Sequence, residues 1–478
     1  MSGVHLSNCL FPYSGAGVTF RVAGEGLLLV EGPDRVFGFR GLPRDVVGAI
    51  EAMAPGRSLA EAEATVETRH LALLHRQLED LLRRFALVVG IGTEAGLVAL
   101  LEPASPRVRF PRSLAPPTGG ELLSRFASLR RDGSALVLES PLAHARLVVH
   151  GVEAVALLAR LTGPCDLGQI SSTGAPWTGP LCNVLRGSGF LTSATRDGGT
   201  AEDDDLSLGS WEFHDLLFHT RSRLGRHAFP MGGLYPFPEV PPPPASRALP
   251  EGRRIVLDTP DRALLAGRDP SLSAVVDARR SIREYGDEPL SLPDLGEFLF
   301  RVARITRRRT AEVQVHSTTV TMEFAHRPFP SGGALYETEF YVAVARCQGL
   351  VPGLYFYAPA EHALILLEED PAKLGPLLAD ASRCTGVPVE ALQVEIVVSA
   401  RFRRMSWKYR GMAYSAILKH VGGIYELMYL AASAMGLAPC ALGIGNPDLL
   451  ADLTGTDPFE EGSVGEFLLG SSRVIPDP

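Results

Sequence analysis

Three arginines and a serine fall within five positions of this sequence and could together grip a phosphate. They are Arg279, Arg280, Ser281 and Arg283. Arginine presents planar, permanently charged donors that match phosphate oxygens, and a serine hydroxyl adds a short hydrogen bond. The segment lies where a predicted helix passes into a loop. Taken alone, the same pattern is also typical of a solvated surface charge run.

Two later loops are rich in small residues and could lie against a flat ligand. In the first, Pro330 is followed by Ser331, Gly332 and Gly333, and the two glycines would let backbone amides approach a ligand closely. Residues 438–446 (APCALGIGN) form the second, after a long predicted helix. We interpret this loop as one that places its backbone N–H groups beside a planar ring. Each loop alone also fits an ordinary turn.

The second loop should not be confused with a dinucleotide-binding fingerprint. Gly443 and Gly445 are followed by Asp448 where the third glycine should stand, and an acidic side chain there would repel a pyrophosphate. The segment before the loop is predicted to be a helix, whereas the fingerprint follows a strand. We therefore exclude a Rossmann site, and no Walker loop, HExxH or GxSxG motif occurs either.

Lysine is rare in this chain, which makes each one a candidate for a specific role. Of the 46 basic residues only Lys373, Lys408 and Lys419 are lysine. A lysine can act as a general base once its pKa falls toward neutrality from about 10.4, whereas a guanidinium does not deprotonate. Lys408 therefore fits a role that arginine cannot fill. Codon bias that leaves a few chance lysines is the alternative interpretation.

Lys408 is followed by Tyr409, with Arg403, Arg404 and Arg410 close in sequence. Burial and neighbouring cations both lower the pKa of a lysine, so we expect both to act on Lys408. Tyr409 could orient the lysine or stabilise a ring heteroatom. In a helix the two side chains would diverge by about 100°. One of the pair could then serve structure, and Lys408 is the stronger candidate for catalysis.

The arginine segment and the two small-residue loops occur in the order seen in the nitroreductase superfamily, whose members bind FMN at a dimer interface. The chain further resembles the SagB-type subgroup, which contains the azoline dehydrogenases of ribosomal peptide maturation. The resembling stretches are PSGGALY at 330–336, VPGLYFY at 351–357, WKYRGMAY at 407–414 and VGEFLLG at 464–470. The resemblance covers about residues 205–478, including FHTRSR at 218–223.

The resemblance implies a role for each matching residue. The FMN phosphate and ribityl chain would be held by Arg279, Arg280, Ser281 and Arg283, with Arg473 joining them. The other subunit would contribute Ser331, Gly332 and Gly333. The isoalloxazine would be lined by Leu442 and Gly443, with a backbone N–H directed at the flavin N5. The catalytic pair would be Lys408 and Tyr409. One departure from the family pattern is Glu337, since many relatives have proline after Leu-Tyr.

The activity implied is dehydrogenation of thiazoline or oxazoline rings in a peptide to thiazoles or oxazoles. Aromatisation removes a proton from one ring carbon and a hydride from its neighbour; a base takes the proton, FMN takes the hydride, and oxygen reoxidises the flavin. The expected partners are a precursor peptide, a cyclodehydratase and a second copy of the chain in a homodimer. Three alternatives remain: an NAD(P)H-dependent reductase of dehydroamino acids or nitro groups, an oxidase of carrier-bound thiazoline, and a non-catalytic peptide-binding scaffold.

The predicted helices and strands that must position these residues indicate an α+β flavin domain preceded by two small winged-helix-like modules. Strands in 17–42 and a helix with Leu71, Leu74 and Leu78 on one face suggest the first module, residues 1–101. The same order, ending in a closing segment at 184–191, suggests the second, residues 119–195. The flavin domain with its N-terminal extension would span 205–478. Within it, a proline-rich stretch at 228–250 is expected to be an extended spacer.

Bulk properties limit the classes of function. The chain has 478 residues and a net charge of −8. General nucleic-acid binding is therefore disfavoured, because a negative net charge does not attract phosphate backbones. No signal peptide or membrane-spanning run is evident, and we expect a cytoplasmic protein without membrane contact. The six cysteines are far apart and form no CxxC pair, so we predict neither a metal site nor a disulfide framework.

Overall fold

The computed structural model describes residues 6–24, 26–33, 35–112, 114, 120–226 and 230–473. The ends of the expected domains at residues 1–5, 119 and 474–478, and residues 228–229 of the proline-rich stretch, lie outside these ranges. The chain divides into two compact units, 1–229 and 230–478. Each unit is described by itself.

The first unit contains nine α-helices and eleven strands in its described part. The helices are α1 (Arg44–Glu51), α2 (Leu59–Glu63), α3 (Leu71–Arg83), α4 (Val152–Arg160), α5 (Leu167–Thr173), α6 (Thr178–Gly187), α7 (Ala201–Asp204), α8 (Leu206–Gly209) and α9 (Phe213–Arg221). The strands are β1 (Leu10–Ser14), β2 (Thr19–Gly24), β3 (Leu27–Gly32), β4 (Arg35–Phe39), β5 (Leu87–Thr93), β6 (Gly96–Pro103), β7 (Glu121–Leu123), β8 (Ser128–Asp132), β9 (Ala135–Glu139), β10 (Ala145–Val149) and β11 (Leu191–Ser193).

A shared sheet joins the two halves of the first unit. Its strand order is β1-β5-β6-β10-β9-β8, so both expected modules contribute strands to it, while β2-β3-β4 form a separate antiparallel sheet. The predicted strands in 17–42 and the helix α3 are confirmed. The closing segment expected at 184–191 is wrong in its first half, because residues up to Gly187 continue α6. The winged-helix assignment itself stays a prediction.

The second unit contains seven α-helices and eleven strands in its described part. The helices are α10 (Arg262–Arg268), α11 (Leu272–Ala278), α12 (Leu292–Ala303), α13 (Pro371–Thr385), α14 (Phe402–Ser406), α15 (Ala413–Ala434) and α16 (Pro447–Thr454). The strands are β12 (Gly232–Gly233), β13 (Arg254–Val256), β14 (Arg307–Val315), β15 (Thr318–His326), β16 (Thr338–Val344), β17 (Gly353–Ala358), β18 (Ala363–Glu368), β19 (Val394–Arg401), β20 (Tyr409–Arg410), β21 (Leu437–Ala441) and β22 (Glu461–Ser471).

A seven-stranded antiparallel sheet, ordered β13-β18-β17-β16-β19-β22-β21, forms the centre of the second unit. Strand side chains alternate between faces. Phe340 and Val342 of β16 therefore join the core beneath α12 and α15, while Tyr341 and Ala343 face α13 and α16. The sheet is covered by helices on both faces, which confirms an α+β domain.

The antiparallel sheet also corrects part of the argument against a Rossmann site. Residues Leu437–Ala441, expected to be helix or loop, form strand β21 directly before Gly443. The exclusion nevertheless holds, because β21 pairs antiparallel with β22, whereas the dinucleotide fold needs a parallel sheet.

Helix α15 confirms the long helix predicted before the second small-residue loop. A loop packs closely against one of its glycines. A Cβ on Gly423 would lie 3.2 Å from Cγ of Pro330, in the Pro-Ser-Gly-Gly loop.

Among the described residues, no helix is both long enough and apolar enough to cross a membrane. All six cysteines are free, and four of them are buried.

The proline-rich stretch is not a spacer. Residues 231–245, hereafter the strap, lie along the second unit from β20 to the end of β19. Gly232 and Gly233 pair with Arg410 and Tyr409. Farther along the strap, the carbonyls of Pro243 and Pro244 accept hydrogen bonds from Arg404 and Arg401. Proline lacks an N–H but keeps its carbonyl, and these contacts use the carbonyls that remain.

Candidate functional site

The arginine cluster, defined as Arg279, Arg280, Ser281 and Arg283, begins where α11 ends, as predicted. The Arg279 guanidinium lies 5.2 Å from the ring centroid of Tyr429 on α15. Ser281 Oγ is 2.7 Å from Tyr429 Oη, which also accepts a hydrogen bond from the Ala441 amide at 2.8 Å. Tyr429 thereby fastens the cluster to the end of β21, just before Leu442 and Gly443.

Among the described residues, the charge of this cluster is largely uncompensated. Arg280, Ser281 and Arg283 are exposed. The nearby ion pair joins Arg473 Nη1 to Glu284 Oε2 at 3.7 Å, and both side chains are mostly exposed. Screening by water leaves such a pair weak. Exposed guanidinium groups beside a hydroxyl are the donor set that suits a phosphate.

The loop after β21 offers backbone donors that are free within the described ranges, and the Gly443 amide is the first of them. The Leu442 amide donates to the Glu466 carbonyl at 2.9 Å, and is therefore engaged. Within the described ranges the Gly443 amide has no acceptor, and nothing lies within 4 Å of the position of a Cβ there. Gly443, rather than Leu442, is the residue whose N–H can meet a ring nitrogen.

Two buried glutamates lie beneath this loop and were missed from the sequence. Glu466 is 4% exposed, and a Cβ on Gly445 would overlap its carboxyl group. Burial raises the pKa of Glu466 and, together with the charges of Glu466 and Asp380, raises the pKa of Glu395 well above its ordinary value. Their position in the interior strands β19 and β22 depends on sheet register, which one sequence does not reveal.

The lysine cluster comprises Lys408, Tyr409 and the loop residues Ser331, Gly332 and Gly333. Lys408 follows α14, and Tyr409 begins β20. Gly333 has a φ of +64°, and a Cβ there would lie 2.5 Å from Lys408 Nζ and 2.9 Å from Tyr409 Oη. Both side chains therefore converge on one glycine, although they are adjacent in sequence. Only glycine leaves room for this contact.

Burial is what lowers the pKa of Lys408. The neighbouring arginines, which were also expected to act, do not contribute. Arg403 and Arg410 are exposed, and the buried Arg404 donates to the carbonyls of Leu335, Pro243 and Glu323. Arg404 therefore holds together the strap, the β14–β15 hairpin and the loop of residues 330–337, hereafter the glycine loop. It does not face the lysine.

Glu337, the departure from the family pattern, anchors the glycine loop. Its fully buried carboxylate accepts from Ser331 Oγ at 3.1 Å and contacts His420 Nδ1 at 2.6 Å. His420 Nε2 accepts from the Gly332 amide at 2.8 Å. Because Nε2 accepts, the ring proton lies on Nδ1 and is donated to Glu337. His420 was not predicted, since it lies 83 residues from Glu337.

Helix α15 separates the two clusters within one chain. His420 on this helix contacts the lysine cluster, and Tyr429 contacts the arginine cluster. Nine residues of α-helix place them about 13.5 Å apart along the axis and about 180° apart around it. No hydrogen bond or ion pair joins the two clusters across the described residues. The residues predicted for one site are thus brought together in two groups.

Comparison with known families agrees with this fold. Residues 276–470 match the model of the nitroreductase family. This part of the chain is therefore similar to the nitroreductase family. In addition, residues 122–228 match the cyanobactin oxidase ThcOx model. The two matches confirm the resemblance predicted from the motifs, and they identify this nitroreductase relative as an oxidoreductase.

Two curated relatives match part of the chain. A Methanocaldococcus jannaschii protein named as a nitroreductase is 28% identical over 173 residues, which are 36% of this chain and 78% of that protein. The trifolitoxin-processing protein TfxB of Rhizobium leguminosarum bv. trifolii is 26% identical over 187 residues, 39% of this chain and 50% of that protein. The chain thus spans only half the length of the second relative.

A solved structure, the E. coli microcin synthetase McbBCD complex with truncated pro-MccB17 bound, is also similar. It is 19% identical, with 41% of this chain and 68% of that chain covered and a TM-score of 0.33.

Proposed function

We propose that this protein is an FMN-dependent dehydrogenase that converts azoline rings of a peptide to azoles. The observation that carries the proposal is Lys408, a half-buried amine with a lowered pKa, held with Tyr409 against Gly333 of a nitroreductase domain. A reductase of this fold needs no such base, whereas aromatisation of an azoline requires one.

Lys408 takes the ring proton in this proposal. Its amine must be neutral to do so, and burial favours the neutral form because it disfavours the charged one. Activity should therefore rise as the pH increases through the lowered pKa of Lys408. Tyr409 Oη, which meets Lys408 Nζ at Gly333, orients the amine or stabilises the ring heteroatom. Bound FMN would supply the acceptor for the hydride, with oxygen taking the electrons from it.

The arginine cluster fits FMN by its donor chemistry. Arg279, Arg280 and Arg283 would hold the phosphate, with the Ser281 hydroxyl beside them and Arg473 close by in the same end of the unit. Leu442 and Gly443 would line the ring. The free amide of Gly443 would face its N5, and Glu466 fixes that loop through its carbonyl.

A homodimer would bring the two clusters into one site. Because α15 keeps them apart in one chain, the lysine cluster of one copy would complete the arginine cluster of another. The exposed apolar side chains of α10 and α11 support this arrangement. Leu264, Leu272 and Val276 are 72%, 70% and 51% exposed. A cluster of exposed apolar side chains is typical of a surface that binds another protein.

The substrate would be a precursor peptide carrying azolines made by a partner cyclodehydratase. The match of residues 122–228 to a cyanobactin oxidase and the name of TfxB both support a peptide. Among the described strands of the first unit, β4 pairs only with β3 and leaves an edge that could accept a peptide strand. Deleting residues 1–200 and measuring peptide affinity tests this role, since unchanged affinity would refute it.

The deciding experiment is visible spectroscopy of the purified protein with a thiazoline peptide in the absence of oxygen. We expect flavin bands that bleach on addition of the peptide, and no bleaching in Lys408→Ala. The other two lysines provide matched controls: Lys373→Ala and Lys419→Ala should bleach like the unaltered protein.

The alternatives predict different spectra. Bleaching by NAD(P)H alone would favour a reductase, and bleaching only by a carrier-bound thiazoline would change the substrate class. A colourless protein that still binds the peptide after FMN addition would favour a scaffold. Each of these results would overturn the proposal.

A further inference from the structure

The strap reaches the back of Lys408 through its own backbone. Beyond the β12–β20 pairing, the Tyr235 amide donates to the Lys408 carbonyl at 3.0 Å. The Tyr235 carbonyl in turn contacts His316 Nε2 at 3.2 Å, at the tip of the β14–β15 hairpin. Both sides of the Tyr235 peptide are thus fixed, which gives its ring a defined place.

The ring of Tyr235 forms a wall of the lysine cluster. Its centroid lies 5.2 Å from that of the buried Trp407, edge to face, and 5.9 Å from Lys408 Nζ. The ring of Tyr409 lies 5.4 Å from Nζ. The amine of Lys408 is therefore flanked by two tyrosines, one from the strap and one from β20.

The backbone of Tyr235 is unusual in a way that indicates a constraint. Its φ is +48°, a left-handed conformation that bulky residues rarely adopt. Such strain persists only where the surroundings over-determine it, and it is concentrated at functional sites. Glycine would adopt this conformation freely, yet a tyrosine stands there.

We propose that Tyr235 is a positioning residue of the lysine site, which holds the Lys408 amine toward Gly333 and shields it from water. The inference rests on the proposed function and adds a residue from the N-terminal extension to its site. The rings of Tyr235 from the strap and Tyr409 from β20 lie near the lysine amine, while Glu337 and His420 bind the glycine loop on which that amine converges.

Removal of the ring should admit water to Lys408. Because desolvation is the cause of its lowered pKa, hydration moves the pKa upward. Tyr235→Gly removes the ring and suits the left-handed backbone, so the strap should keep its path. Tyr235→Phe keeps the ring and removes only the hydroxyl. Phe237→Leu alters another aromatic of the strap, which is 52% exposed, and provides the matched control.

Competitive acetylation across a pH series, read by mass spectrometry, tests the proposal. With only three lysines in the chain, Lys408 can be followed against Lys373 and Lys419 in the same sample. In Tyr235→Gly, we expect the labelling midpoint of Lys408 to move to higher pH, toward that of Lys373, whose pKa is raised by its hydrogen bond to Glu368. Tyr235→Phe and Phe237→Leu should leave the midpoint in place.

An unmoved midpoint in a folded Tyr235→Gly protein would overturn the proposal, as would an equal shift in Phe237→Leu. The acid limb of the azoline oxidation profile should move in the same direction as the labelling midpoint. Labelling needs neither flavin nor substrate. Failure of the proposed function, seen as absent turnover, is therefore distinguishable from failure of the role of Tyr235.

Discussion

Replacing Glu337 should release the glycine loop, because its carboxylate makes the bonds that anchor Ser331 and His420. In Glu337→Ala, the bond to His420 Nδ1 at 2.6 Å and the bond from Ser331 Oγ at 3.1 Å are both lost. A hydrogen bond to a charged group contributes about 2 kcal/mol and a neutral one about 1 kcal/mol. The free energy of unfolding should therefore fall by about 3 kcal/mol.

The matched variant is Glu337→Gln, which keeps an oxygen for His420 and fills the same space. It should lose only about 1 kcal/mol, since the charge assistance disappears while the bonds remain. Urea denaturation at neutral pH measures both values. Glu323→Ala, an exposed glutamate of β15, should change the midpoint little and serves as the surface control.

The loop itself can be followed by hydrogen exchange of the Gly332 amide, which donates to His420 Nε2 at 2.8 Å. Once Glu337 no longer orients the imidazole, local opening should become easier by about 2 kcal/mol, or roughly thirty-fold faster exchange at 1.4 kcal/mol per factor of ten. If Glu337→Ala and Glu337→Gln unfold at the same urea concentration and Gly332 exchanges alike in both, the anchoring role is refuted.

Two further perturbations test buried charges of the second unit. Arg404→Met leaves three backbone carbonyls without their donor, so the free energy of unfolding should fall by about 3 kcal/mol. The control is Arg403→Met at an exposed position. Equal denaturation midpoints for the two variants would contradict the prediction. Glu395 has a raised pKa, and its buried Oε2 has no hydrogen-bond partner among the described residues. The folded state therefore prefers the neutral form of Glu395. The stability that this preference contributes is complete below the ordinary pKa of 4.5 and is lost as the pH rises through the raised value. Glu395→Gln should therefore be more stable than the unaltered protein in alkaline buffer and no more stable below about pH 4, and parallel stability profiles from pH 4 to 9 would show that Glu395 does not titrate as inferred.

Local features of the sequence predicted much of this molecule. The long helix α15, the helix α3 and the strands β2 and β3 follow from apolar periodicity, which acts over a few positions. The proline-rich stretch was misjudged for the same reason. Proline predicts an extended backbone, but it does not show whether its carbonyls meet solvent or buried arginines such as Arg404.

The sequence by itself determined which groups could do chemistry here: the arginine cluster, the rare Lys408 with Tyr409, and the small-residue loops that admit a flat ligand. Tertiary structure alone decided how they are grouped. His420 and Glu337 meet across 83 positions, and Ser281 meets Tyr429 across 148. It also decided that Tyr235 of the strap shields the lysine and that α15 divides the two clusters. Side-chain identity and local spacing fix chemical capacity, whereas contacts between distant segments depend on sheet register and helix packing, which only the folded chain sets.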